Sequence, residues 1–173
     1  MSFLSKRVNA LAESATLAMA KKARELKSTG VDIISLSLGE PDFKTPKHIQ
    51  EAAKKAIDEE KYFAYSPVAG YQDLREAIAA KFRNENGLDS KPENIVVSTG
   101  AKQSIYNLMS SILDPGVEVI IFAPYWVSYS DIIQLCEGKS VLVSGTIENG
   151  YKPTAAQLEA AITPKTKALL YSS

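Results

Sequence analysis

The stretch Ile95-Val96-Val97-Ser98-Thr99-Gly100-Ala101-Lys102-Gln103-Ser104 constrains the fold more than any other part of the chain. Residues 95–99 read as a buried strand, and Gly100 breaks it. Ile105, Leu108, Met109 and Ile112 then recur at i, i+3, i+4 and i+7, which predicts one apolar face of a helix over 102–113. A strand that turns through Gly100 and Ala101 straight into a helix leaves backbone N–H groups pointing out of the helix start. Those groups, with the helix dipole, suit an anion such as phosphate. The other reading of the same residues is a tight strand-to-helix connection that holds nothing.

The rest of the chain repeats this alternation. A helix is predicted over 14–28, with Ser14 as N-cap and Gly30 just past its end. Ile34, Leu36 and Leu38 alternate with Ser35 and Ser37, the pattern of a half-buried strand. Thr45-Pro46 reads as an N-cap with Pro at the first helical position. That helix runs to about Glu60 and turns Ile49, Ala53, Ala56 and Ile57 inward. Leu74, Ile78 and Phe82 mark another helix, stopped by Gly87. Past the turn Asp114-Pro115-Gly116, residues 118–122 form a near-continuous apolar strand, as in a sheet covered on both faces. A helix over 126–136, a strand at 141–143, a helix over 154–161 and a strand at 167–171 complete the pattern. Repeated strand–helix–strand units predict an α/β fold with a mainly parallel sheet and helices on both faces.

Composition narrows the function. The 173 residues suffice for one domain with a substantial core. Twenty basic residues balance twenty acidic ones, so no basic stripe points to nucleic acid. No stretch approaches the roughly 20 apolar residues of a membrane helix, and the first thirty residues do not form a signal peptide. The single Cys136 excludes an internal disulfide framework and is expected to be a small core residue. These features fit a cytoplasmic protein. One His rules out a Ser–His–Asp arrangement, and His48 is expected to be exposed and inert. No His/Cys/carboxylate cluster has metal spacing. The Gly100 turn is neither G-x-x-x-x-G-K-[ST] nor G-x-G-x-x-G, so nucleotide binding has no support.

Three more segments carry candidates. Pro124-Tyr125-Trp126-Val127-Ser128-Tyr129 follows the strand at 118–122. Trp126 is either a core aromatic or a flat platform for a ligand ring. An anion cradle followed one strand later by an indole suggests a phosphorylated aromatic ligand lying on Trp126. Tyr65 sits in the loop from Tyr62 to Tyr71, where it is either a binding group or surface packing. Gly39, in Gly39-Glu40-Pro41-Asp42, either closes a turn or lets a ligand approach the backbone.

Taken in order, four stretches resemble the class I pyridoxal-phosphate aminotransferases, closest to the bacterial aspartate aminotransferases. They are Ser37-Leu38-Gly39-Glu40-Pro41-Asp42-Phe43, Tyr65 through Gly70 with Leu74-Arg75, Ser98 through Gln103, and Pro124 through Tyr129. The resemblance implies an incomplete transferase fold of type I for pyridoxal 5'-phosphate. Residues 1–45 would be an N-terminal arm and part of the small domain, and residues 46–173 the first part of the large domain. It implies that Gly100, Ala101 and Lys102 give backbone N–H bonds to the cofactor phosphate. It implies that Trp126 stacks on the pyridine ring and touches the substrate carboxylate. The Gly39 backbone would meet the substrate. Tyr65 would reach the cofactor of a partner subunit, making a homodimer the working unit. Lys102 could also offer its ammonium to a distal carboxylate, as its charge and position suggest. The substrates would be an amino acid, aspartate by resemblance, and a 2-oxo acid such as 2-oxoglutarate.

The resemblance also implies what is missing. No lysine of this chain stands where the family places its Schiff-base lysine; Ser5-Lys6 and Lys102 come too early. No catalytic residue is therefore expected within these residues, and the chain alone is expected to be inactive. The chain ends directly after a buried-looking strand, where a site loop is due, so it reads as a truncated sequence. Two other readings remain: the same fold with another pyridoxal-phosphate reaction, and a short non-catalytic homologue that dimerises or binds a phosphorylated ligand.

Overall fold

A computed structural model describes residues 3–36, 39 and 41–172. The chain divides into two compact units, Met1–Leu38 with Gly100–Ser173, and Gly39–Thr99.

The first unit is built on a three-stranded parallel sheet of β1 (Glu118–Ala123), β2 (Lys139–Ser144) and β3 (Thr166–Leu170), in the order β2-β1-β3. The expected strands at 118–122, 141–143 and 167–171 are all present, each with its ends moved by no more than two residues. Because β1 is central, both of its edges are paired. Val119, Ile120 and Ile121 point to alternate faces, and all three are buried. Consecutive burial means both faces of β1 are covered, which is why its sequence is apolar without alternation. The helix α5 (Ala101–Ile112) and the helix α6 (Ser128–Leu135) supply the rest of the core. Met109, Leu113, Ile132 and Ile133 pack with Val119 and Ile121. Each such side chain contributes about 1.5–3 kcal/mol on burial. The inward stripe of α5 is rotated from the expected one. Leu108 is 55% exposed, whereas Leu113, one residue past the helix, is buried. Ile105, Met109, Ile112 and Leu113 form the actual core face. Cys136 packs against this core as expected, and burial raises its thiol pKa above the ordinary range.

Three further helices belong to this unit. The helix α7 (Ala155–Ala161) starts at Thr154, whose hydroxyl accepts the Gln157 N–H at 3.2 Å while Gln157 reaches back to the Thr154 N–H, a capping box. It packs against β2. Near the start of the chain, α1 (Lys6–Asn9) is capped by Ser5 and held to α6 by Gln134 Nε2 donating to the Ala10 carbonyl at 3.3 Å. The helix α2 (Ala15–Ser28) appears where expected, although the Ser14 side chain makes no capping bond. The strand expected over 34–38 is not formed in its described part. Residues 31–36 carry no strand, and Ile34 and Leu36 are 86% and 91% exposed. Ser37 and Leu38 lie outside the described residues.

At the amino end of β1, Glu118 is buried yet paired. Its carboxylate accepts the Thr163 hydroxyl at 2.7 Å and the Lys139 ammonium at 3.1 Å. The hydroxyl first, and then the ammonium, hold its pKa below the usual carboxylate range.

The second unit contains α3 (Lys47–Asp58) and α4 (Gln72–Asn86). Pro46 takes the cap position of α3 and no side chain caps it, so Thr45 does not play the expected role. The face expected to be inward is uncovered: α3 buries no residue, and Ile49 and Ile57 are 49% and 64% exposed. The helix α4 ends as predicted at Gly87, which is left-handed with φ 66°. Ala79 of α4 is fully buried.

The strand expected at 95–99 is also absent. A strand exists only with a ladder partner, and none of the described residues provides one. The segment is instead pinned in an extended form by other means. Arg75 donates from Nη2 to the Pro92 carbonyl at 2.6 Å and from Nε to the Ile95 carbonyl at 3.1 Å. The Val97 N–H donates to the Ala69 carbonyl at 3.0 Å. Gly70, with φ 98°, lets that approach happen, since a Cβ there would stand 2.6 Å from Val97 Cγ2.

Candidate functional site

The start of α5 has the geometry of an anion cradle. Gly100 sits at φ 83°, ψ 163°, a region open essentially to glycine alone. The Gln103 and Ser104 N–H groups turn back to the Gly100 carbonyl. Ala101 and Lys102, the first two helical residues, have no carbonyl one turn earlier within the helix to receive their N–H groups. Gly100, at the cap position, brings no side chain to this end. The donors and the positive end of the helix dipole are thus left for a ligand.

The aromatic platform lies beyond the carboxyl end of β1. Two neighbouring rings separate there by role: Tyr125 packs against the core, and Trp126 is 52% exposed. The Trp126 carbonyl accepts the Tyr129 N–H at 3.0 Å, closing the turn that leads into α6. The Lys102 ammonium stands 5.7 Å from the centre of the Trp126 ring. A cation–π contact of this kind contributes about 0.5–1 kcal/mol at an exposed site. It brings the side chain of the cradle residue Lys102 to the indole. The place also fits the topology. The strand order reverses at β1, and ligands of open parallel sheets bind beyond the carboxyl ends of strands at such a point.

The other candidates belong to the second unit. Tyr65 is fully exposed, in a loop where the Tyr62 and Tyr71 rings meet at a tilt with centroids 4.6 Å apart. Gly39 is exposed, with open space where a Cβ would stand; its neighbours Leu38 and Glu40 lie outside the described residues. The structure therefore gathers Gly100, Ala101, Lys102 and Trp126 within one unit, and Gly39 and Tyr65 stand in the other. His48 is exposed, as expected.

One pair of contacts had no signal in the sequence. The Tyr129 hydroxyl meets Ser172 Oγ at 2.9 Å, 43 residues away, and the Phe122 and Tyr171 rings lie 6.0 Å apart. Both join the exit of β1 to the exit of β3. Among the described residues, no group of three or more His, Cys, Asp or Glu could hold a metal ion, and no helix is long and apolar enough to cross a membrane.

Free amide donors at a glycine turn, a cation and an exposed ring face suit a planar, phosphorylated aromatic cofactor. The α/β architecture with its parallel sheet is that of a type I transferase fold. The chain belongs to the aminotransferase class I and II family, whose model matches residues 31–173 and whose members depend on pyridoxal phosphate. It is 49% identical over 170 residues to the aspartate/prephenate aminotransferase of Thermus thermophilus, covering 98% of this chain and 44% of that protein. Against the aspartate aminotransferase of Geobacillus stearothermophilus the identity is 48%, covering 98% of this chain and 43% of that protein. The solved structure of the Thermus thermophilus aspartate aminotransferase with maleate superposes with a TM-score of 0.93 at 48% identity, over 98% of this chain and 44% of that one. The chain thus spans less than half the length of the relatives it matches.

Proposed function

We propose that this chain is the cofactor-cradling part of an aspartate aminotransferase, which moves an amino group between aspartate and a 2-oxo acid such as 2-oxoglutarate. The observation that carries this is the convergence of the uncapped α5 terminus, the Lys102 ammonium and the exposed Trp126 ring at the carboxyl end of the central strand. Pyridoxal phosphate, when bound, supplies the electron sink that makes the α-proton of an amino acid acidic.

The residues of this chain bind and orient. The N–H groups of Gly100, Ala101 and Lys102 would hold the phosphate, and Trp126 would stack against the pyridine ring and exclude water from one of its faces. Trp126 also borders the substrate α-carboxylate, with the Gly39 backbone against the substrate. Tyr65, fully exposed here, reaches the phosphate in the partner subunit of a homodimer. Lys102 accounts for the preference for a substrate with a second carboxylate; the maleate held by the Thermus thermophilus relative is such a dicarboxylate. In this reading residues 1–45 form the arm and part of the small domain, residues 46–173 begin the large domain, and the enzyme works in the cytoplasm. The lysine that anchors the cofactor and moves the proton belongs to the part of the relatives that this chain does not span.

The test separates binding from chemistry. Purified 173-residue chain is mixed with pyridoxal phosphate, reduced with borohydride and weighed by mass spectrometry. Quenching of Trp126 without a defined covalent adduct is the expected result. A stoichiometric adduct on one lysine, with amino transfer from aspartate to 2-oxoglutarate, would overturn the assignment of the base to residues outside this chain. In the protein translated from the whole reading frame, Trp126→Ala is expected to reduce turnover far more than thermal stability. A large stability loss with unchanged turnover per folded molecule would return Trp126 to a packing role.

A further inference from the structure

The segment Pro124 to Tyr129 ends on a residue that the proposed function leaves without a role. Tyr129 stands in the first turn of α6 and makes three contacts of different kinds. Its ring packs on the core cluster. Its backbone N–H donates to the Trp126 carbonyl at 3.0 Å. Its hydroxyl, at the far end of the ring, meets Ser172 Oγ at 2.9 Å. Ser172 is the second residue past β3, and Trp126 is the third past β1. One side chain, rooted in the core, therefore ties together the exits of two adjacent parallel strands. Those exits border the point where the strand order reverses, which is where the ligand of such a sheet sits.

Packing alone does not call for this arrangement. A tyrosine whose ring fills a core needs only water at its hydroxyl. Here the hydroxyl ends on a residue of the other strand's exit, 43 positions along the chain. One bond between neutral hydroxyls near solvent adds little to global stability. It does fix a distance, and binding sites depend on geometry held to about half an ångström.

We propose that Tyr129 is a positioning residue: through its hydroxyl on Ser172 it holds the exits of β1 and β3 at the spacing a ligand on Trp126 requires. The inference rests on the reading of Trp126 as the ring platform. Loss of the hydroxyl removes the direct link from the Ser172 exit to the Trp126 turn, leaving only the looser Phe122–Tyr171 ring contact between the two exits, while the core keeps the Tyr129 ring.

The test is a double-mutant cycle of Tyr129→Phe and Ser172→Ala in the 173-residue chain. Trp126 is the single tryptophan, so its emission reports this turn and nothing else. Three quantities are read: acrylamide quenching of Trp126 without ligand, quenching by added pyridoxal phosphate, and Tm. Each single variant is expected to raise acrylamide access to Trp126 and to weaken the apparent affinity about threefold to tenfold, the size of one hydrogen bond. Tm should barely move, because the ring stays in the core. The double variant should be no worse than either single one, since both remove the same bond. Additive effects, or unchanged acrylamide quenching in both single variants, would overturn the proposal. If pyridoxal phosphate at millimolar concentration fails to quench the unaltered chain, it is the platform reading that fails; the acrylamide cycle still decides the role of Tyr129.

Discussion

The two compact units are held together by different physics. The unit formed by Met1–Leu38 and Gly100–Ser173 has an apolar core, with Val119, Ile120, Ile121 and Ile133 almost wholly buried. In the Gly39–Thr99 unit the buried apolar residues are Ala79 and Ile95. That second unit is fixed instead by directed contacts to backbone: the Arg75 fork on two carbonyls, the Ala69–Val97 bond, and Gly70 fitted against Val97. Non-directional burial tolerates small shifts of a few side chains, because its gain is spread over many neighbours. A fork of hydrogen bonds fails when one group is changed. The first kind of unit should lose stability in proportion to volume removed, and the second in steps.

The largest expected effect tests the core. Ile133→Ala should cost about 2–5 kcal/mol in denaturant unfolding followed by Trp126 emission. The matched deletion Ile57→Ala, on the uncovered face of α3, should stay within about 0.5 kcal/mol. Equal costs for the two would erase the distinction between the units.

Next in size is Arg75→Ala. Its bonds come from a charged donor, so the local loss should be about 1.5–3 kcal/mol, seen as faster amide exchange at Ile95 and Val97. Arg75→Lys should recover only part of it, since an ammonium cannot reproduce a planar fork. Full recovery by lysine would mean that charge matters here and the fork does not.

A smaller effect depends on pH. The Glu118 pKa lies below its unfolded value, chiefly through the Thr163 hydroxyl and then Lys139. A group with a depressed folded pKa stabilises above its unfolded pKa, about 4.3 for Glu, and the benefit fades as pH falls through the folded value. Thr163→Val should therefore lower Tm at pH 6–7 and differ less from the unaltered chain toward pH 3. A Tm deficit that grows with acidity would have the wrong sign and would sink this account.

The smallest effect is at Cys136. Burial raises its thiol pKa, so at pH 8 it should react with a disulfide reagent more slowly than a free thiol in the unfolded chain. Equal rates in the folded and unfolded chain would show that the thiol is not shielded.

How well the fold could be anticipated depends on whether a segment has partners to pack or pair with. Where a segment's partners lie in the core, its periodicity reads correctly. The apolar run of β1, the helices α5 and α6 and the Thr154 start of α7 were all legible because local pattern and tertiary packing agree. Leu108 faces outward because the core stripe of α5 runs through Ile105, Met109, Ile112 and Leu113, a spacing of i, i+4, i+7 and i+8. The segments at 34–38 and 95–99 have strand composition, but composition cannot supply a ladder partner. The inward face expected on α3 failed for a related reason: amphipathicity says which face is apolar, and not that anything covers it. In the candidate site, the Gly100 turn was readable because it is a local turn feature, whereas the sequence left Trp126 open between core and platform and the structure places it half-exposed. The link from Tyr129 to Ser172 was not readable, because nothing in a sequence marks a hydroxyl pair 43 residues apart. The Arg75 fork was equally silent, since an arginine on a half-covered helix face looks like any solvated charge.

The order β2-β1-β3 also sets a schedule for the growing chain. The strand β1 can pair with β2 as soon as residue 144 has been made, yet its other edge must wait for residue 166. At about 5–20 residues per second, those 22 residues take about 1–4 s. During that interval the most apolar of the three strands, with Val119, Ile120 and Ile121 along it, offers one open edge to whatever else is nearby. A pause in translation between residues 145 and 165 would lengthen that exposure, and a chaperone that recognises extended apolar segments would find its substrate there.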